Sequence, residues 1–221
     1  MQKILITSSK GGSGKTTVAT NLAVAMAKAG RKVWLIDSDA QASTGDWVGV
    51  RADHQPGIAL LASPNLGHGA GLGWNLCIPP ATEVLLVDTP AGLRRDQIAE
   101  YLRRVDTVLV PLVPSAIDQR ANMVFLNELK QASAVRSGAV RVGLIANRFK
   151  PRTLAGRDFI EQSPKLPFPL LTCLRDSQAY VYAAALGRGL FDFPGAALAD
   201  ARAEWQPVLA WLANTATTRS C

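Results

Sequence analysis

Short unbroken runs of Val, Ile and Leu recur along this chain at Lys3–Ser8, Val33–Asp37, Val84–Asp88, Thr107–Val113 and Val140–Ala146. None alternates apolar with polar positions, which marks strands covered on both faces, as in a parallel sheet. Weaker runs at Ile58–Leu61 and Phe168–Leu171 read the same way. Between them, apolar residues return at helical spacing over Lys15–Ala29, Leu93–Arg104, Ile117–Ala134, Leu154–Glu161, Ser177–Leu186 and Ala197–Ala213. Gly30 stands where a glycine would end the first of these helices. Strands alternating with helices predict an α/β fold: doubly wound, with a mainly parallel sheet flanked by helices. Ligands of such a sheet sit beyond the carboxyl ends of its strands, so the residues following each run carry the chemistry.

A chain of 221 residues, 48% hydrophobic and 19% charged, has the balance of a globular protein and can build a real core. The expectation is one domain spanning 1–221. Its one irregular tract is Pro56–Pro80, with Gly67, Gly69, Gly71 and Gly73 close together. No apolar run approaches the roughly 20 residues of a membrane helix. The opening MQKILITSS is too short and lacks the cleavage site of a secretory signal, which predicts a cytoplasmic protein. Cys77, Cys173 and Cys221 lie far apart without neighbouring histidines, so they read as free thiols. Charge changes the picture more. The chain carries a net +7, and Arg120 to Arg188 alone holds eleven Lys/Arg against four Asp/Glu. A basic half of this kind points to a polyanion, nucleic acid or an anionic membrane, or else to a solvated face.

The strongest chemical signal lies between the first strand and the first helix: Lys10-Gly11-Gly12-Ser13-Gly14-Lys15-Thr16-Thr17. Strand, glycine-rich loop and helix in this order are the context a P-loop requires. The glycines let backbone N–H groups turn inward onto phosphate oxygens, and the helix N-terminus adds its dipole. In that frame Lys15 neutralises the β- and γ-phosphates, Thr16 ligates Mg²⁺ and Thr17 reaches the α-phosphate of ATP. The next two long strands end in Asp37-Ser38-Asp39-Ala40-Gln41 and in Asp88-Thr89-Pro90-Ala91-Gly92. An apolar strand ending in aspartate, as Val84–Asp88 does, is a Walker B pattern whose carboxylate holds Mg²⁺ through water.

The general P-loop pattern opens with glycine, whereas Ser9 and then Lys10 stand there in this chain. KGGSGKTT resembles the deviant Walker A motif of the ParA/MinD family of P-loop ATPases, most closely the small ParA-type partition and positioning proteins. The resemblance covers nearly the whole chain and is most specific in the first forty residues and at Val84–Gly92. It implies that Lys10 reaches across a homodimer to the partner's ATP. It implies further that Asp39 positions the attacking water, that Asp37 supports the Mg²⁺ shell and that Gly92 senses the γ-phosphate. Asn147, after Leu144-Ile145-Ala146, resembles the family's adenine-reading residue. Leu174–Ala179 and Gly187-Arg188-Gly189 resemble its stretch beside the base. Ala40 departs from the proline usual in the family's D-x-D-P-Q element.

As a small ParA-like protein, the chain is expected to be a weak ATPase that dimerises with ATP and binds non-specific duplex DNA. A ParB-like or other adaptor would stimulate hydrolysis, and the localisation would be cytoplasmic and nucleoid-associated. Arg120, Arg141, Lys150, Arg152, Arg157, Lys165 and Arg175 are the candidate phosphate contacts. Three alternatives stay open at this point. A membrane-bound MinD-like protein needs a basic amphipathic C-terminal helix, but WQPVLAWLANTATTRSC has only Arg219 as a cation, and Trp205, Leu209 and Trp211 are expected to dock on the body. A nitrogenase-iron-protein-like cluster needs two cysteines at a dimer interface. A metabolic P-loop enzyme, such as a carboxylating synthetase, needs substrate residues that the chain does not display.

Overall fold

A computed structural model describes residues 1–61 and 78–217. Gly67 to Gly73 and Cys77 of the glycine-rich tract, and Cys221, lie outside the described residues. The sheet has seven strands: β1 (Gln2–Ile6), β2 (Val33–Asp37), β3 (Ile58–Leu61), β4 (Val84–Asp88), β5 (Thr107–Leu112), β6 (Arg141–Phe149) and β7 (Leu170–Arg175). All pairings are parallel, in the order β3-β2-β4-β1-β5-β6-β7. The sequence predicts this doubly wound α/β architecture, and the structure has it. The chain moves from β1 to one side of the sheet for β2 to β4 and to the other for β5 to β7. The loops after β1 and β4 therefore meet where the winding reverses, the place at which such sheets bind ligands.

Period-two geometry sends successive side chains of one strand into opposite layers. Ile4 and Ile6 of β1 pack with Val18 and Leu22 of α1 (Lys15–Lys28), whereas Leu5 enters the opposite layer. That second layer holds Ile98 and Leu102 of α3 (Arg95–Leu102) and Phe125, Leu126 and Leu129 of α4 (Ala116–Gln131). The central strands are inaccessible on both faces, which explains why their sequence reads as continuous aliphatics.

Local differences from the sequence expectation have identifiable causes. An unexpected α2 (Ser43–Val50) follows β2. The expected helix Ile117–Ala134 divides into α4 and a single-turn α5 (Ser133–Arg136), because Ala132 takes extended backbone with ψ 134°. After α6 (Leu154–Gln162) and α7 (Gln178–Ala185), the expected Ala197–Ala213 helix also divides, into α8 (Ala199–Ala203) and α9 (Gln206–Thr217). Pro207 lies in the first turn of α9, where a missing N–H does no harm. Trp205, Val208 and Leu212 are buried in the same layer as α1, and Leu209 and Trp211 pack against it. The C-terminal apolar residues thus dock on the body, as expected. Strand β6 runs three residues past its expected end, and the last strand is Leu170–Arg175 where the sequence suggested Phe168–Leu171.

Candidate nucleotide site at the carboxyl edge of the sheet

The glycine-rich loop folds on itself through its serines. Ser13 Oγ donates to Ser8 Oγ at 2.8 Å, and Ser8 Oγ donates to the Lys10 carbonyl at 2.8 Å. The first helical bond of α1 runs from Val18 N–H to the Gly14 carbonyl. The N–H groups of Lys15, Thr16 and Thr17 are therefore the unpaired donors of a helix N-terminus, a ready anion site. Gly14 takes φ 87°, and a Cβ there would lie 1.9 Å from Asn147 Nδ2, so the position admits only glycine. That nitrogen donates to the Ser13 carbonyl at 2.8 Å. Asn147 thus lies within β6 and under the loop, buried, with its amide committed to shaping the P-loop. Lys15 is buried with it, at 8% exposure.

The acidic wall stands beside the loop. Asp88, at 1% exposure, accepts on Oδ2 from the hydroxyls of Thr16 and Thr44, both at 2.7 Å. Its other oxygen, Oδ1, is buried without a hydrogen-bond partner among the described residues. Burial pushes this carboxyl up to about 6, the two threonine hydrogen bonds and the Lys15 charge pull it back, and nearby Asp37 adds to the rise. An unpaired buried carboxylate oxygen beside two hydroxyls suits a hard divalent cation that takes its remaining oxygens from phosphate and water. No cluster of three or more His, Cys, Asp or Glu among the described residues forms a separate metal cage. The residues present therefore fit Mg²⁺ carried with a nucleotide.

Asp37 does a job that sequence leaves ambiguous. Its Oδ2 accepts from the N–H groups of Thr44 and Gly45 at 2.8 and 2.9 Å, and its Oδ1 from Asp39 N–H at 3.0 Å. It caps α2 from the preceding strand, holding the helix start by charge and hydrogen bond. This capping places Thr44 on Asp88, so Asp37 reaches the metal side through Thr44. Asp39 is half-buried, and its Oδ1 accepts from Gln41 N–H at 3.0 Å. Gly92, at φ 64°, donates its N–H to the Ser8 carbonyl and so ties the segment after β4 to the P-loop. At the outer lip, Lys10 Nζ lies 2.5 Å from Asp118 Oδ1, and Ser9 Oγ donates to Asn122 Oδ1 at 2.6 Å. Thr44, Asp118 and Asn122 are site residues that the sequence reading missed. Each is remote in sequence from the motif it supports.

The seven candidate DNA contacts do not form one set. Lys150, Arg152 and Arg157 follow the carboxyl end of β6, and all three are exposed. Arg175 ends β7, and Arg120 shares a groove with Ser9, Gly92 and Leu93. Lys165 follows α6 and is exposed. Arg141 lies apart from Lys150, Arg152 and Arg157. It pairs in register with Thr107 at the opposite end of the sheet, a strand's length of roughly 25–30 Å away. Its guanidinium stacks 4.0 Å from the Trp211 ring centre and donates to the Trp211 carbonyl. Two others are partly spent within the chain: Arg175 pairs with Glu204, and Lys150 with Asp176 at 3.1 Å.

The sequence profile described as the CobQ/CobB/MinD/ParA nucleotide-binding domain matches residues 4–190. The chain belongs to this family. Among its relatives is the "Maintenance of carboxysome distribution protein A" of Halothiobacillus neapolitanus, 28% identical over 166 residues, 74% of either chain. The chromosome partitioning protein ParA of Myxococcus xanthus is 33% identical over 60% of this chain and half of its own length. Two solved structures share the fold. A Cyanothece McdA–ATP complex has a TM-score of 0.69 at 19% identity, covering 94% of this chain and 96% of that one. Aquifex aeolicus MinD gives 0.67 at 19%, covering 96% and 97%. Membership in the MinD/ParA family makes the P-loop edge the nucleotide-binding edge. Among the described residues, no helix is long and apolar enough to cross a membrane.

Proposed function

We propose that this MinD/ParA-family chain is an ATP-dependent dimerising switch. It binds duplex DNA without sequence preference as the ATP dimer, and it positions a plasmid, a chromosome region or a protein cargo. The observation that carries this reading is the separation of the two motif lysines. Lys15 is buried at the helix N-terminus, whereas Lys10 stands on the outer lip with its side chain 44% exposed. A buried cation serves the chain's own phosphates, and an exposed one on the lip reaches a partner's once its pair with Asp118 opens.

In this reading the N–H groups opening α1 and Lys15 hold the β- and γ-phosphates, while Thr16 and Asp88 hold Mg²⁺ with Thr44 and Asp37 behind them. The metal, when bound, neutralises charge on the bridging phosphate oxygens. Asp39 orients water, Asn147 keeps the loop in shape, and Lys10 of one protomer stabilises charge on the other's nucleotide. Dimerisation doubles the basic surface around Lys150, Arg152 and Arg157, and joining two weak sites raises affinity without new contacts. The relatives named for chromosome partitioning and carboxysome distribution support a positioning role. A membrane-held variant is disfavoured because Trp205 and, in α9, Val208 and Leu212 are spent on the core.

The test is sedimentation and DNA mobility shift with ATP, ADP and a slowly hydrolysed ATP analogue at two salt concentrations. Dimers and shifted DNA are expected with ATP and the analogue only, with affinity falling steeply as salt rises. Equal binding in every nucleotide state would refute the switch. Absence of binding in all states would favour a protein-only scaffold or a metabolic enzyme.

A further inference from the structure

A second cavity, of about 230 Å³, opens between α4 and α6, behind the loop after β5. Its inner walls are Leu112, Val113, Met123, Phe159 and Leu166, all buried or half-buried. Its rim is polar and exposed: Gln119, Gln162, Asp158 and Lys165. The Gln119 and Gln162 side-chain amides bond to each other across the two helices at this rim. Of its lining residues, only Asn122 also touches the nucleotide loop.

We propose that this cavity binds a small amphiphile with a zwitterionic head group, the chemical class of an apolar α-amino acid, and that its occupancy is coupled to the P-loop. Size sets the apolar part. A dry cavity of ~150 Å³ lined by aliphatic and aromatic groups admits benzene, so this larger one takes a ring or a branched chain plus a short head. Charge sets the head. Asp158 and Lys165 offer opposite signs at one mouth, and an ammonium facing the first with a carboxylate facing the second leaves neither unpaired. A purely anionic or cationic head satisfies one and opposes the other.

The coupling has a definite route. Asn122 lines the cavity and accepts the Ser9 hydroxyl hydrogen bond, immediately before Lys10. The first turn of the same helix holds Lys10 through Asp118. A ligand that shifts α4 against α6 therefore moves the two residues that open the nucleotide loop. Only this coupling rests on the nucleotide reading; binding itself does not.

The experiment titrates the nucleotide-free protein with L-phenylalanine, L-leucine, phenylacetate, phenethylamine and glycine, followed by calorimetry and by NMR of the α4 and α6 amides. Phenylalanine and leucine should bind at least about fivefold tighter than either singly charged analogue, and glycine should not bind. Ala155→Leu, which fills the cavity, should abolish binding. Asp158→Lys, on the exposed rim, should turn the preference towards phenylacetate. ATP affinity should shift by about fivefold with phenylalanine bound, phenylalanine affinity should shift equally with ATP bound, and Asn122→Ala should remove both shifts. Failure of phenylalanine and leucine to bind, equal binding of glycine, or indifference to Ala155→Leu overturns the site. Binding that leaves ATP affinity unchanged overturns the coupling. A protein that binds no ATP at all refutes the proposed function, while the nucleotide-free titration still decides the cavity.

Discussion

The ammonium of Lys10 and the carboxylate of Asp118 meet at 2.5 Å within a single chain, 108 residues apart in sequence. Both side chains are partly exposed, so the pair adds little to stability, in the range of about 0.2–1 kcal/mol. Its consequence is positional, because a lysine held by its own chain is withheld from a partner. Asp118→Ala should leave the melting temperature nearly unchanged and tighten ATP-dependent dimerisation by up to about fivefold per protomer, the Boltzmann weight of so weak a pair. Lys10→Ala should retain ATP and lose the dimer. Sedimentation equilibrium reads both, and a weaker Asp118→Ala dimer would mean that Asp118 helps the trans contact.

Lys15 and Asp39 should separate binding from turnover. Lys15→Ala leaves phosphate charge unpaired at the start of α1 and should abolish ATP binding by calorimetry. Asp39→Ala leaves the phosphate cradle intact and should trap an ATP dimer that hydrolyses at least about a hundredfold more slowly. Parental turnover in that variant would remove Asp39 as the water-positioning group.

Asn147 and Gly14 should both matter to the loop, one by hydrogen bonding and the other by steric fit. Gly14→Ala drives a methyl into Asn147 Nδ2 at a left-handed backbone position, and ATP binding should be lost. Asn147→Ala removes the donor on the Ser13 carbonyl and should cost about 1–3 kcal/mol if that oxygen stays buried. Urea denaturation measures the stability loss. Comparing ATP with GTP affinity in the same variant separates a loop-shaping role from base reading, because only the second changes the ratio.

The parallel sheet was legible because its strands are buried on both faces, so local composition carries the signal at β1, β2, β4 and β5. The phosphate side of the site was legible for a similar reason, since Lys10 to Thr17 are contiguous. What was hidden depends on distant partners. Helix α2 contains Gly45 and Gly49, and its start is held by Asp37 from another element, so no local cap announces it. Thr44 acquires meaning only once α2 lays its hydroxyl on Asp88. Arg141 looked like the other arginines in sequence. Only the length of β6 and the docking of Trp211 show that it lies at the opposite end of the strand from Lys150.

Asp88 gives the metal-free protein an unusual pH dependence. Its carboxyl lies near 6 in the folded chain against 3.8 for a free side chain, chiefly through burial, with Asp37 raising it and Thr16, Thr44 and Lys15 opposing. Below the lower value both folded and unfolded chains carry the proton, and this group contributes no pH dependence. Between the two values the folded chain holds a proton that the unfolded chain has released, so stability falls as pH rises. Above about 6 the full penalty is present, and a gap of about two units corresponds to roughly 3 kcal/mol. Asp88→Asn cannot ionise and escapes that penalty, although its amide nitrogen places two N–H donors where Oδ1 has no partner. Relative to the parent, the variant should therefore gain stability between pH 5 and pH 7.5, by about 1–2 kcal/mol after that offset. Mg²⁺ with ATP should reverse the order at pH 7.5, because the cation stabilises the ionised parent and not the amide. Denaturant titrations of both proteins at the two pH values, with and without Mg²⁺-ATP, decide the matter. A constant difference across pH would mean that Asp88 is already ionised in the metal-free fold.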